Sequence, residues 1–141
     1  MVKVLFVSDK PALIRERAGR AVILLVDDEP LVRNVVQMSL THAGYHVLTA
    51  SDGAEALDLS RSYPGTIDLV LSDVKMPNMT GTELAAAIVN ERVGIPILLM
   101  TGKASEGIPP NLHSGLLRKP FLPQQLLERI RQALGGQQEP D

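Results

Sequence analysis

Val22-Ile23-Leu24-Leu25-Val26-Asp27-Asp28-Glu29-Pro30 passes from an unbroken apolar run to three acids and a proline. Five apolar residues in a row, without polar alternation, suit a strand covered on both faces, as inside a parallel sheet. Pro30 can open a helix directly, because its missing N–H has no intrahelical partner in the first turn. The stretch therefore reads as strand, acidic turn, helix. Four further apolar runs follow, at 46–50, 67–72, 95–100 and 114–118. Helical spacing fills the gaps between them. Val32, Val36 and Leu40 share one face, with Val35 and Met38 alongside. Ala54 and Leu57 start a second helix, Leu84 and Ile88 a third, and Leu126, Ile130 and Leu134 a later one. Gly44 and Gly94 sit where helices end and a positive φ costs a glycine little. Strand-then-helix repetition implies right-handed crossovers and a doubly wound α/β fold.

The segment between Met100 and Ser114 breaks the rhythm. Gly107, Pro109 and Pro110 leave room for only a short or irregular helix there. Domain boundaries follow: an N-terminal extension over 1–20, one domain over 21–134 and a Gly- and Gln-rich tail over 135–141. In the extension, the stretch beginning at Val4 (Val-Leu-Phe-Val-Ser-Asp-Lys-Pro) echoes the one beginning at Ile23; an extra strand, a remnant of a duplicated start and an appended leader are the alternatives, and it is read as a loosely attached extension. Asp9 in that echo has no matching partners and is given no role.

Composition removes several classes of function. At 141 residues the chain has the size of one domain. Its 45% hydrophobic and 21% charged residues have the balance of a soluble globular protein. A net charge of −2 offers no basic face for nucleic acid. The absence of cysteine removes disulfides, thiolate metal sites and cysteine nucleophiles, and fits the cytoplasm as the expected location. No apolar run approaches the roughly 20 residues of a membrane helix.

Ligands of an open parallel sheet bind beyond the carboxyl ends of its strands. After the first run come Asp27, Asp28 and Glu29, after the third Asp73, after the fourth Thr101 and Gly102, and after the fifth Lys119 and Pro120. Asp52, after the second, is placed better to cap the next helix. The expected fold thus gathers carboxylates, a hydroxyl and an ammonium at one end. Clustered carboxylates repel one another and call for a cation, and oxygen-only donors favour a hard ion such as Mg²⁺. A carboxylate can also serve as a nucleophile toward phosphorus. Singly, each of these residues has a plain structural reading as a turn or a cap; together they do not. His42, His46 and His113 are scattered and are read as structural or surface residues.

Four turns carry a resemblance. The stretches Leu25-Val-Asp-Asp-Glu-Pro, Ser72-Asp-Val-Lys-Met-Pro, Met100-Thr-Gly and Arg118-Lys-Pro-Phe are similar, in order, to the signature turns of response-regulator receiver domains. The similarity spans about residues 22 to 134. It implies a flavodoxin-like five-stranded parallel sheet of strand order 2-1-3-4-5. It implies Asp73 as phosphoacceptor and Mg²⁺ held by Asp28 and Asp73 directly, by Asp27 through water and by the main-chain carbonyl of Lys75. Thr101 would approach the phosphoryl group, Lys119 would pair with it, and the Lys119–Pro120 bond would be cis. The implied partners are a sensor histidine kinase or phosphotransfer protein as donor and a downstream protein partner; charge and hydropathy add the expectation of no direct contact to nucleic acid or membrane.

The sequence departs from the family in places. Leu116 stands where an aromatic residue is common, so the usual ring-switch coupling cannot run in its ordinary form. The interval from Thr101 to Lys119 is shorter than usual by roughly one helical turn. Lys75 and Lys103 place positive charge two residues beyond Asp73 and Thr101, where it is expected to alter the lifetime of the phosphoryl group. The last helix is followed by only seven residues, so no output domain is expected after it. Two alternatives stand beside the phospho-switch. One is a phosphorylation-independent pseudo-receiver that works as a binding module, for which Leu116 speaks. The other is a Mg²⁺-dependent phosphohydrolase, against which the lack of room for a cap and the lysine at position 75 both count. The chain is accordingly expected to catalyse only its own phosphorylation and dephosphorylation.

Overall fold

A computed structural model of the chain describes residues 20–102 and 108–135. The expected extension, apart from Arg20, lies outside the described residues, as do Asp9, Lys103, Gly107 and the tail beyond Gly135. The elements run β1 (Val22–Val26), α1 (Pro30–His42), β2 (His46–Ala50), α2 (Gly53–Ser62), β3 (Leu69–Asp73), α3 (Gly81–Glu91), β4 (Ile97–Thr101), β5 (Gly115–Arg118) and α4 (Pro123–Gly135). All strand pairings are parallel and the sheet order is β2-β1-β3-β4-β5. This is the expected doubly wound fold. The irregular connection from β4 to β5 contains a three-residue 3₁₀ turn, Pro110–Leu112.

The strands alternate between two cores. Leu24, Val26, Val70 and Leu99 face one side, packed with Leu57 of α2 and Leu84 and Ile88 of α3. Ile23, Leu25, Leu71 and Met100 face the other, packed with Val36 and Leu40 of α1 and Leu126 and Ile130 of α4. Burial on both faces explains why β1, β3 and β4 read as continuous apolar runs.

Two sequence expectations about helix faces need correction. Val35 and Met38 are 61% and 69% exposed, whereas Val36 and Leu40 are buried. At about 100° per residue, positions 35 and 38 point well away from the 32–36–40 stripe. Ala54 is likewise exposed, and α2 buries Gly53, Ala56, Leu57 and Ser60. Strands β3 and β4 also begin two residues later than their apolar runs. Ile67 is buried ahead of β3, and Pro96, which has no N–H to donate, precedes β4.

Local chemistry sets the ends of the elements. Pro30 occupies the first turn of α1, and Gly44 and Gly94 have φ of 103° and 82°. Asp52 accepts the N–H of Glu55 at 2.8 Å, capping α2 as expected. Thr80 and Glu83 form a reciprocal capping box on α3. At the opposite end of the sheet from the acidic turns, Arg92 donates to the hydroxyl and carbonyl oxygens of Ser60 and to the carbonyls of Tyr63 and Gly65, tying α3 to the end of α2.

Candidate functional site

The site grows from the C-terminal ends of β1, β3, β4 and β5. Asp27 follows β1 and is fully buried, with its N–H bonded to the Ala50 carbonyl at 3.2 Å. Its Oδ1 accepts the Glu29 N–H at 2.9 Å, which turns the chain into α1. Asp28 stands beside it, half-buried. Asp73 closes β3 at 8% exposure. Carboxylate oxygens of Asp27, Asp28 and Asp73 all lie within 4.8 Å of one another. No histidine belongs to this group.

Lys119 enters from the end of β5. Its Nζ lies 3.4 Å from Oδ2 of Asp27, 3.4 Å from Oδ2 of Asp73 and 3.9 Å from Oε1 of the exposed Glu29. The Lys119 N–H bonds to the Thr101 carbonyl at 2.8 Å, so the ladder between β4 and β5 brings Thr101 and Lys119 side by side. The Lys119–Pro120 peptide is cis. Thr101 is buried one residue past the partner of Asp73 on β4. Lys75 is exposed in the turn after Asp73.

The electrostatics are unbalanced. Burial pushes the Asp73 carboxyl up to about 6; Lys119 opposes this, and the charges of Asp27 and Asp28 add to it. Burial also works against the Lys119 ammonium, but Asp73 and Asp27 outweigh it and the lysine pKa is raised. One ammonium set against three carboxylates leaves a negative excess. An all-oxygen donor set with that excess fits a hard divalent cation, for which Asp27, Asp28 and Asp73 each offer a carboxylate oxygen.

Three contributors escaped the sequence reading. Arg33, one turn into α1, donates from Nη1 to the Asp27 carbonyl at 2.7 Å. The buried hydroxyl of Ser72 donates to the Asp73 carbonyl at 2.9 Å. Gly81 opens α3 directly against β3, where any Cβ would collide with the Asp73 carbonyl oxygen. The available signals were a cation four residues after Glu29 and a glycine at a helix start. Both are common enough to carry no meaning until the fold places them.

Comparison with known proteins decides the family. A family model described as the response regulator receiver domain matches residues 23–131. The chain belongs to that family. This receiver is 35% identical over 142 residues to the sensor kinase CckA of Brucella abortus, covering 92% of this chain and 15% of that protein. It is 34% identical to the probable transcriptional regulatory protein TcrX of Mycobacterium tuberculosis, covering 86% of this chain and 53% of that protein. The receiver thus spans from less than a sixth to about half the length of these two relatives. Among solved structures it resembles the response regulator TrrA of Thermotoga maritima in complex with Mg(2+)-BeF, with a TM-score of 0.74 and 32% identity, covering 81% of this chain and 99% of that one. Among the described residues no helix is long and apolar enough to cross a membrane.

Proposed function

We propose that this receiver is a phospho-switch in which Asp73 accepts a phosphoryl group from the phosphohistidine of a sensor kinase or phosphotransfer protein. The observation that carries the reading is the position of Lys119 Nζ, 3.4 Å from both Asp27 and Asp73, within a cluster of three carboxylates. Asp73 has the environment of a nucleophile: buried enough to be weakly solvated, yet held beside an ammonium. One Asp73 carboxylate oxygen attacks phosphorus in line. A P–O bond forms as the P–N bond of the donor breaks, and the electron pair leaves with the imidazole nitrogen. Lys119 meets the negative charge on the transferred group, and Thr101, beside Lys119 at the end of β4, donates to it. Asp27, Asp28, Asp73 and the main-chain carbonyl of Lys75 would hold Mg²⁺, which would supply charge neutralisation for the transferred group. The TrrA neighbour, bound to Mg(2+)-BeF, supports that ion for this site.

The receiver turns over no external substrate beyond its own phosphorylation and dephosphorylation. Its output is a changed contact with a downstream protein, in the cytoplasm. Lys75 lengthens or shortens the life of the acyl phosphate by its exposed charge, so Lys75→Ala changes the phosphoryl half-life.

Intact mass after incubation with acetyl phosphate and Mg²⁺ tests the reading. One phosphoryl group should be added, and lost on chelation and in Asp73→Asn. A protein that stays unmodified with both acetyl phosphate and a phosphohistidine donor is instead a pseudo-receiver. The half-buried Leu116, packed with the core where the ring switch would stand, is the observation that favours that second reading.

A further inference from the structure

The geometry points to Arg33 as a positioning residue that sets the affinity of the acidic turn for Mg²⁺. The inference rests on the metal-dependent reading of the site given above, and deepens it. Arg33 belongs to neither the carboxylate cluster nor the signature turns. It sits half-buried one turn into α1, with its N–H on the Glu29 carbonyl at 2.9 Å. From there its guanidinium folds back to the Asp27 carbonyl at 2.7 Å.

That carbonyl is a sensitive place to hold. The Asp27 oxygen and the Asp28 N–H belong to one planar peptide. Fixing the oxygen therefore fixes the plane from which Asp28 presents its carboxylate. The other polar groups of Asp27 are also engaged: its N–H on Ala50, Oδ1 with Glu29 and Oδ2 with Lys119. Arg33 supplies the partner for the remaining one. The guanidinium also acts on Glu55, whose pKa is lowered mainly by hydrogen bonds from Ser51 and in smaller part by Arg33. Glu55 in turn accepts the Ser51 N–H at 2.8 Å and hydroxyl at 2.7 Å. Arg33 thus holds the turn after β1 by a hydrogen bond and reaches the turn after β2 only as a weak through-space charge.

Two effects of the arginine oppose each other. As a cation near the site it repels Mg²⁺; as a donor to the Asp27 carbonyl it preorganises the ligands. Its charge is partly solvated and screened, whereas its short hydrogen bond acts on the ligand backbone itself. Positioning therefore dominates, and loss of Arg33 weakens Mg²⁺ binding. Removing such an outer partner typically costs about tenfold or more in metal affinity.

The test is isothermal titration of the full chain with MgCl₂, for wild type, Arg33→Gln and Arg33→Lys, together with amide hydrogen exchange at Asp28 and Glu29. Arg33→Gln should raise the Mg²⁺ dissociation constant about tenfold and speed exchange at Glu29, whose N–H is held by Oδ1 of Asp27, with exchange in β1 and β3 unchanged. Arg33→Lys, which keeps a donor but loses the planar fork, should fall between. Unchanged or tighter Mg²⁺ binding by Arg33→Gln overturns the role. Should Arg33→Gln not fold, Arg33→Lys decides alone, and wild-type affinity with wild-type exchange at Glu29 overturns the inference. A wild-type protein that binds no Mg²⁺ would instead remove the metal-dependent reading itself, and this inference with it.

Discussion

At the scale of single residues the site is held in an electrostatically uncomfortable state, and Asp73 carries most of that cost. Its pKa lies at about 6 in the folded metal-free protein, against 3.8 for an ordinary aspartate. Between those values the folded form binds more protons than the unfolded one. The carboxyl's contribution to stability is thus complete at low pH, falls as pH rises from about 4 through 6, and stays lost above. Asp73→Asn should therefore stabilise the metal-free protein at pH 7.5. The displacement caps the gain at about 3 kcal/mol, and solvent contact at the rim lowers it to about 1–2 kcal/mol. Urea denaturation in EDTA at pH 7.5 and pH 4 checks this, since the advantage of the asparagine should shrink at the lower pH. With Mg²⁺ in place of EDTA, the wild type should be stabilised and Asp73→Asn left almost unmoved. Asp27, Asp28, Asp73, Thr101 and Lys119 were legible because each lies at the end of an apolar strand or within two residues of it. Arg33 and Ser72 were not, because their partners are main-chain carbonyls, which leave no pattern in the sequence.

At the scale of elements, packing decides what periodicity only suggests. Leu40 is wholly buried on α1 and Met38 is 69% exposed. Leu40→Ala should cost about 2–5 kcal/mol, while Met38→Ala should stay within about 0.5 kcal/mol of wild type, both measured by chemical denaturation. Apolar content alone had grouped Val35 and Met38 with the buried stripe, and the helix turn angle separates them. The junction of β3 and α3 makes a sharper demand. Gly81 lies against the Asp73 carbonyl with no room for a methyl group, so Gly81→Ala should destabilise by about 1–3 kcal/mol. Because the displaced backbone is that of Asp73, phosphorylation should slow as well, as a time course of intact mass would register. Helix α3 and its capping box could be anticipated from Thr80 and Glu83; the close approach of its first residue to β3 depends on three-dimensional packing.

At the scale of the whole molecule, the parallel sheet is what turns scattered residues into a site. Sheet order β2-β1-β3-β4-β5 puts the ends of β1 and β3 side by side and carries Lys119 in from the far edge. Residues separated by as much as 92 positions thereby come within 3.4 Å. The doubly wound class was legible from strand count and continuous apolar strands, whereas the strand order was implied only by the resemblance to receiver domains. The connection between β4 and β5 was legible only as a shortened segment, since proline and glycine say where a helix cannot be and not what replaces it.

The central claim, that Asp73 is the residue that accepts the phosphoryl group, is tested most directly by reductive trapping. The protein is phosphorylated with acetyl phosphate and Mg²⁺, reduced with borohydride and digested for peptide mass spectrometry. An acyl phosphate on Asp73 is converted to homoserine at position 73, with Asp27 and Asp28 left as aspartate. Homoserine at either of those two positions, or a phosphorylated protein with none at all, would contradict the account.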